Sequence, residues 1–141
     1  MPILNYTSKI DPTKTIGEIQ QCLARHGVRK IITDYDTENN AISVTFHLDM
    51  QGQPVAFALP CNWQGVLAVM KKDPAIGPKY CNEAQALRTG WRIVKDWIEA
   101  QLALTEAGLA TLPEVMLPYV VLKSGETLYK HVQGNTQLLL T

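Results

Sequence analysis

The stretch Glu83 to Ala107, EAQALRTGWRIVKDWIEAQLALTEA, limits the possible folds more than any other part of the chain. Leu87, Trp91, Val94, Ile98 and Leu102 recur at helical spacing. Ala86, Gly90, Ile93, Trp97, Ala100 and Leu104 run beside them as a second row. Together the rows make an apolar face wider than about 100°. Arg88, Arg92, Lys95, Asp96, Glu99 and Glu106 are left for water. Such a helix has to be covered on two sides, by a sheet on one and by another helix or a second subunit on the other. Asn82 with Gln85 is a start signal in which two orphan backbone donors are satisfied reciprocally. Gly108 supplies the stop. Gly90 costs roughly 1 kcal/mol against alanine inside a helix, and its place in an apolar row predicts close approach by another backbone.

The remaining elements follow from shorter patterns. Ile3 to Tyr6 reads as a short strand or an arm. Thr15-Ile-Gly-Glu18 reads as a capping box opening a helix that Gly27 closes, with Ile16, Ile19, Cys22 and Leu23 buried. Val28 to Tyr35 reads as a strand. Ile42, Val44, Phe46 and Leu48 alternate with Ser43, Thr45, His47 and Asp49, the pattern of a strand with one buried face. Gln51-Gly52-Gln53-Pro54 turns the chain into a returning strand that Pro60 ends. Asn62 caps a helix running to about Lys72. Thr111-Leu-Pro-Glu114 opens a short helix stopped by Pro118. Val120–Leu122 and Thr127–Val132 read as a hairpin about Lys123-Ser-Gly-Glu126. Leu138-Leu-Leu140 are expected to dock on this domain or on a partner.

The fold class is therefore α+β: an antiparallel sheet of about three to five strands on a long central helix, in the order helix, three strands, helix, long helix. One domain of 141 residues is expected, with the first helix and the sheet in 1–80 and the long helix, short helix and hairpin in 81–141. Three strands bury little, so the surplus apolar surface of the long helix favours a homo-oligomer, most simply a two-fold dimer. No run of eighteen apolar residues suggests a membrane span. MPILNYTSK carries no basic-then-apolar leader pattern, and Cys22, Cys61 and Cys81 match no metal spacing. A cytoplasmic protein with reduced thiols is expected.

Net charge is zero but uneven. Residues 31–60 carry four carboxylates and no Lys or Arg, whereas 61–95 carry Lys71, Lys72, Lys79, Arg88, Arg92 and Lys95 against Asp73 and Glu83. Trp63, Tyr80, Trp91 and Trp97 stand in or beside this basic stretch. An aromatic face beside arginine is how a base is stacked and a phosphate neutralised. The expected ligand-binding residues are Arg88, Arg92, Lys95, Trp63 and Tyr80. No catalytic set, cofactor motif or phosphate loop is apparent. Cys61, at a strand-to-helix junction, is the best nucleophile on the view that a helix N-terminus lowers a thiol pKa. Asp34, Asp36 and Asp49 could gather at one end of the sheet as carboxylate acid–base groups. His47-x-Asp49 supplies two metal ligands where more are needed.

Two segments carry a resemblance. The first is Asn5-Tyr-Thr-Ser-Lys-Ile10 with Lys14-Thr-Ile-Gly-Glu18 and Ala24-Arg-His-Gly27. The second is Trp91-Arg-Ile-Val-Lys-Asp-Trp-Ile-Glu-Ala-Gln101 with Leu112-Pro-Glu-Val-Met-Leu-Pro-Tyr119 and Thr127-Leu-Tyr129. Together these resemble a family of small uncharacterised accessory proteins of bacteriophages and prophages, over most of the chain. The resemblance implies a viral accessory protein in a bacterial cytoplasm, acting by binding. The leading expectation is a non-enzymatic protein that counters host defence by sequestering a nucleotide-derived signal or blocking a host protein. The alternatives are a nucleic-acid-binding factor of phage replication or recombination, and a small nucleotide hydrolase.

Overall fold

Asp11, not Thr15, opens the first helix, α1 (Pro12–Arg25). Its side chain accepts from the Thr13 N–H at 2.8 Å, and Pro12 takes a first-turn position where a missing N–H costs nothing. The Thr15–Glu18 motif thus lies within the helix, with Thr15 fully buried. These descriptions come from a computed structural model and cover residues 1–140. Three strands follow, β1 (Lys30–Tyr35), β2 (Ala41–Met50) and β3 (Gln53–Pro60), paired antiparallel in the order β1-β2-β3. Gln51 and Gly52, both with positive φ, make the two-residue turn that suits the twist of a hairpin.

The sheet buries Val44, Phe46, Phe57 and Leu59, and the two phenylalanine rings stack at 5.3 Å. Register slips at Ile42: Asp34 faces Ser43 but Tyr35 faces Ala41. This bulge puts Ala41 into the core in place of Ile42, which the plain alternation had placed there.

Asn62 caps α2 (Trp63–Lys72) through its bond from Gly65 N–H. The long helix is α3 (Glu83–Glu106), of 24 residues, and it starts where Asn82 accepts from Gln85 N–H at 2.9 Å. Only half of the expected reciprocal cap forms, because the Gln85 side chain turns away to the N-terminal arm. Its amide donates to the carbonyls of Tyr6 and Ser8, and Thr89 donates to Asn5. Ile3 to Tyr6 is that arm, not a strand. Trp91, Ile98 and Leu102 enter the core with α1 and the sheet, and the Trp91 indole donates to Ala41 O at 3.1 Å.

The close approach at Gly90 is made by a side chain, not a backbone. A Cβ there would stand 2.9 Å from Cys61 Sγ and 3.6 Å from Val66 Cγ2. Glycine is what lets the start of α2 seat against α3. Helix covers both flanks of α3, α1 on one and α2 on the other.

Beyond α3 the Thr111 capping box is complete and opens α4 (Leu112–Met116). Val121 N–H donates to Ala56 O at 2.8 Å, so the returning chain covers part of the outer edge of β3. The expected hairpin shrinks to one bridge between Val121 and Thr127. Thr127 instead accepts from Lys130 N–H and starts α5 (Leu128–Gln133). Leu138, Leu139 and Leu140 are exposed, so they do not dock on this domain.

Candidate functional site

The three cations on the polar strip of α3 have different surroundings. Arg92 Nη1 donates to the Glu18 carboxylate at 2.6 Å and reaches the Thr15 hydroxyl at 3.5 Å. Lys95 bonds Glu99 and lies 3.9 Å from Glu18. Both cationic side chains are largely buried in the α1–α3 seam, and carboxylates of this chain already neutralise them. Arg88 differs. Its Nε and Nη2 both donate to Gln85 Oε1, at 3.1 and 2.6 Å, and it forms no ion pair among the described residues. Gln85 is itself buried and held by the arm. A neutral, fixed amide therefore orients the guanidinium and leaves its charge uncompensated.

Arg88 lines a cavity of about 270 Å³ with Asp11, Pro12, Thr13, Tyr35 and Asn40. The first turns of α1 and α3 both border it. At α1 the Asp11 carboxylate and carbonyl already take the first N–H groups, so the partial positive charge that attracts an anion is offered by the start of α3. The nearby carboxylates accept from neutral donors and keep their negative charge, and Asp11 itself lines the cavity. Asp11 caps α1, Glu83 accepts from Asn40 Nδ2 at 2.6 Å, and Asp36 accepts from the N–H groups of Glu38 and Asn40. Tyr35, at the mouth, is 61% exposed and offers a ring to a planar group. A guanidinium without an ion pair, the start of α3 and an exposed ring suit a small ligand that joins an anionic group to an aromatic one.

Trp63 and Tyr80 do not join this site. They pack in a second apolar cluster with Met70, Ile76 and Ala86, where Tyr80 meets Tyr6 edge-to-face at 5.5 Å and Lys79 lies 5.0 Å from its ring. Ala86 and Arg88 are two residues apart, about 200° around the helix at 100° per residue. The aromatic pair and the cations therefore occupy opposite sides of α3. Of the five expected ligand-binding residues, Arg88 alone borders the cavity. Tyr35 and Asn40, which complete it, arrive through the pairing of β1 with β2. Tyr35 closes the expected strand Val28–Tyr35, but nothing local marked it or Asn40 as part of a site.

The catalytic candidates separate as well. Cys61 is buried, and loss of water pushes its thiol up to about 12, opposite to the lowering expected at a helix start. Asp34 accepts from Ser43 at one end of the sheet, whereas Asp49, opposite Pro54, stands at the other. Six residues of strand separate Ser43 from Asp49, on the order of 20 Å. Among the described residues no group of three His, Cys, Asp or Glu side chains could hold a metal, the cysteines are unbridged, and no helix is long and apolar enough to cross a membrane. Comparison with protein-family models, with curated proteins and with solved structures finds no match.

Proposed function

We propose that this protein acts by binding, and that it takes a small nucleotide-derived anion in the Arg88 cavity. One observation carries the reading: Arg88 is held by a neutral amide and faces a cavity, while Arg92 and Lys95 beside it are neutralised within the chain. A phosphate would meet the guanidinium and the first turn of α3, and a base would lie against Tyr35. The volume of about 270 Å³ suits a phosphate and part of the attached sugar or ring, with the rest of the ligand reaching out along Tyr35. The setting follows from the resemblance described above: an accessory protein of a bacterial virus, in the host cytoplasm, that withholds a nucleotide signal from a defence system. Blocking of a host protein and binding of nucleic acid remain the rival binding modes. The hydrolase reading loses its thiol, because a buried Cys61 pushed up to about 12 is a poor nucleophile.

Calorimetric titration with mononucleotides, dinucleotides and cyclic dinucleotides tests the proposal. One class is expected to bind, and Arg88→Ala to weaken it by roughly tenfold or more, as loss of a charge-assisted contact implies. Tyr35→Ala is expected to weaken it less. Failure of every nucleotide class to bind, or an affinity indifferent to Arg88→Ala, rejects the assignment. Binding of long DNA with a steep salt dependence and no preference for small nucleotides would favour the nucleic-acid mode.

A further inference from the structure

The N-terminal arm and Arg88 meet on one side chain. Gln85 is 5% exposed, and its amide has two hydrogens and two lone pairs to satisfy. Both hydrogens go to the arm, to Tyr6 O at 2.8 Å and Ser8 O at 2.9 Å. The oxygen accepts twice from Arg88, from Nε at 3.1 Å and from Nη2 at 2.6 Å. A half-turn of this amide would set its oxygen against two carbonyls and its hydrogens against a guanidinium. While the arm is docked, the amide therefore has a single orientation. The carbonyls of the arm decide which end of Gln85 faces Arg88.

We infer that the arm is a latch on the Arg88 cavity and that Gln85 is the positioning residue through which it acts. Docked, the arm holds the guanidinium in the orientation that an anion meets. Lifted, it leaves the Gln85 hydrogens without their acceptors, the amide free to turn and Arg88 without its anchor. By linkage the effect is reciprocal: an anion on Arg88 holds the arm down by the same factor as the docked arm favours the anion. The latch rests on the reading of this cavity as an anion site and adds the element that controls it.

The way the arm is held suits a latch. Asn5 turns it with a φ of 64°, and Ser8 N–H donates to Asn5 O at 3.0 Å to close the turn. Thr89 donates to Asn5 O at 3.1 Å, and Asn5 Nδ2 donates to Asp96 at 2.9 Å. At 100° per residue, Gln85, Thr89 and Asp96 fall within roughly 40° of one another, so the arm runs along one strip of α3. Water can replace each of these bonds when the arm lifts, which keeps docking reversible. Asp96 lies eight residues beyond Arg88, about 12 Å along the helix. A change there that is felt at Arg88 has to travel through the arm.

Nuclear magnetic resonance on the full chain, with inorganic pyrophosphate as the probe anion, tests it. In the free wild type the Arg88 Nε–H is expected to give a resolved, slowly exchanging signal. Thr89→Val with Asp96→Ala removes two of the arm's four bonds to α3 and leaves Gln85 and Arg88 unchanged. It is expected to speed exchange of the Gln85 Nε2 hydrogens and the Arg88 Nε–H together, and to weaken pyrophosphate by about fivefold or more. Charge alone predicts the opposite sign, because losing Asp96 removes a negative charge. Asp96→Ala by itself, at an exposed position, is expected to act in the same direction and guards against a loss of folding. In the wild type, pyrophosphate is expected to slow exchange of the Gln85 Nε2 hydrogens. Faster Gln85 exchange in the double variant with an unmoved Arg88 signal and unmoved affinity overturns the latch. Pyrophosphate binding that leaves Gln85 exchange unchanged overturns it too. If neither pyrophosphate nor any nucleotide binds the wild type while Arg88 still follows the arm, the anion reading of the cavity fails and the control of Arg88 by the arm stands.

Discussion

Against α1, the long helix presents Arg92 and Lys95 to Glu18, with Thr15 buried alongside; against α2, it presents Ala86 and Gly90 to Cys61, Val66 and Met70. The first seam is fixed by direction and charge. A part-buried guanidinium must keep its carboxylate, but a methyl group more or less matters little there. The second seam is fixed by volume. It contains no ion pair, and a single added carbon at Gly90 has nowhere to go. One helix can thus be specified by two kinds of force on opposite sides, each blind to the perturbation that upsets the other.

Substitutions can break or sharpen this contrast. The largest expected effect belongs to neither flank. Trp91→Ala removes the fully buried indole that packs with α1 and the sheet, along with its bond to Ala41, and is expected to cost about 3–5 kcal/mol in chemical denaturation. Next is Glu18→Ala, which strands Arg92 in the α1 seam. Glu18 is about one-third exposed, so the loss is expected to be roughly 2 kcal/mol, below that of a fully buried pair, and to shrink in high salt. A loss that salt does not change would mean that packing, not charge, holds that flank.

The α2 seam should be the alkali-sensitive one. Cys61 has an ordinary pKa of 9.0 and is pushed up to about 12 by burial, so the folded chain keeps a proton that the unfolded chain releases. Its contribution is fully present below pH 9 and falls by about 1.4 kcal/mol per pH unit as pH rises toward 12. Urea titrations of the wild type and of Cys61→Ala should diverge in slope against pH above 9. Parallel curves would show that the thiol is hydrated.

Gly90→Ala should cost about 1 kcal/mol net, the crowding of Cys61 Sγ outweighing the gain in helix propensity. In the Cys61→Ala background the same substitution should become neutral or stabilising, a coupling that a double-mutant cycle measures. Smallest of all, Glu99→Ala should change stability by roughly 0.3 kcal/mol, since Lys95 retains Glu18 and the lost pair is an i,i+4 pair on a helix surface.

What could be read from the chain follows the range of the forces involved. The bounds of α3 and α4 were legible because Asn82 and Thr111 act on backbone groups three residues away. The start of α1 was misplaced because Thr15-Ile-Gly-Glu18 satisfies the same local pattern as a true cap, and only the earlier Asp11-Pro12 decides between them. Thr127–Val132 is too short for periodicity to separate strand from helix, and the Thr127 cap tips it to helix. In the candidate site, Arg88 was visible as a cation on a helix. Its freedom from ion pairs was not, because Glu18, which takes Arg92 instead, lies 74 residues from Arg92. The aromatic residues were assigned to the wrong side of the helix, since nearness in sequence says nothing about rotation around an axis.

The partial covering of β3 by Val121 also bears on self-association. It leaves β1 as the sheet's open edge, a six-residue strand with a charged residue exposed at Lys30 and another at Asp34, and an irregular register at its end. Short, charged and kinked edges resist the strand-on-strand addition that leads to fibrils. Replacing Lys30 and Asp34 with valine would remove that protection without touching the core, and would turn the least conspicuous strand of the molecule into a template for aggregation.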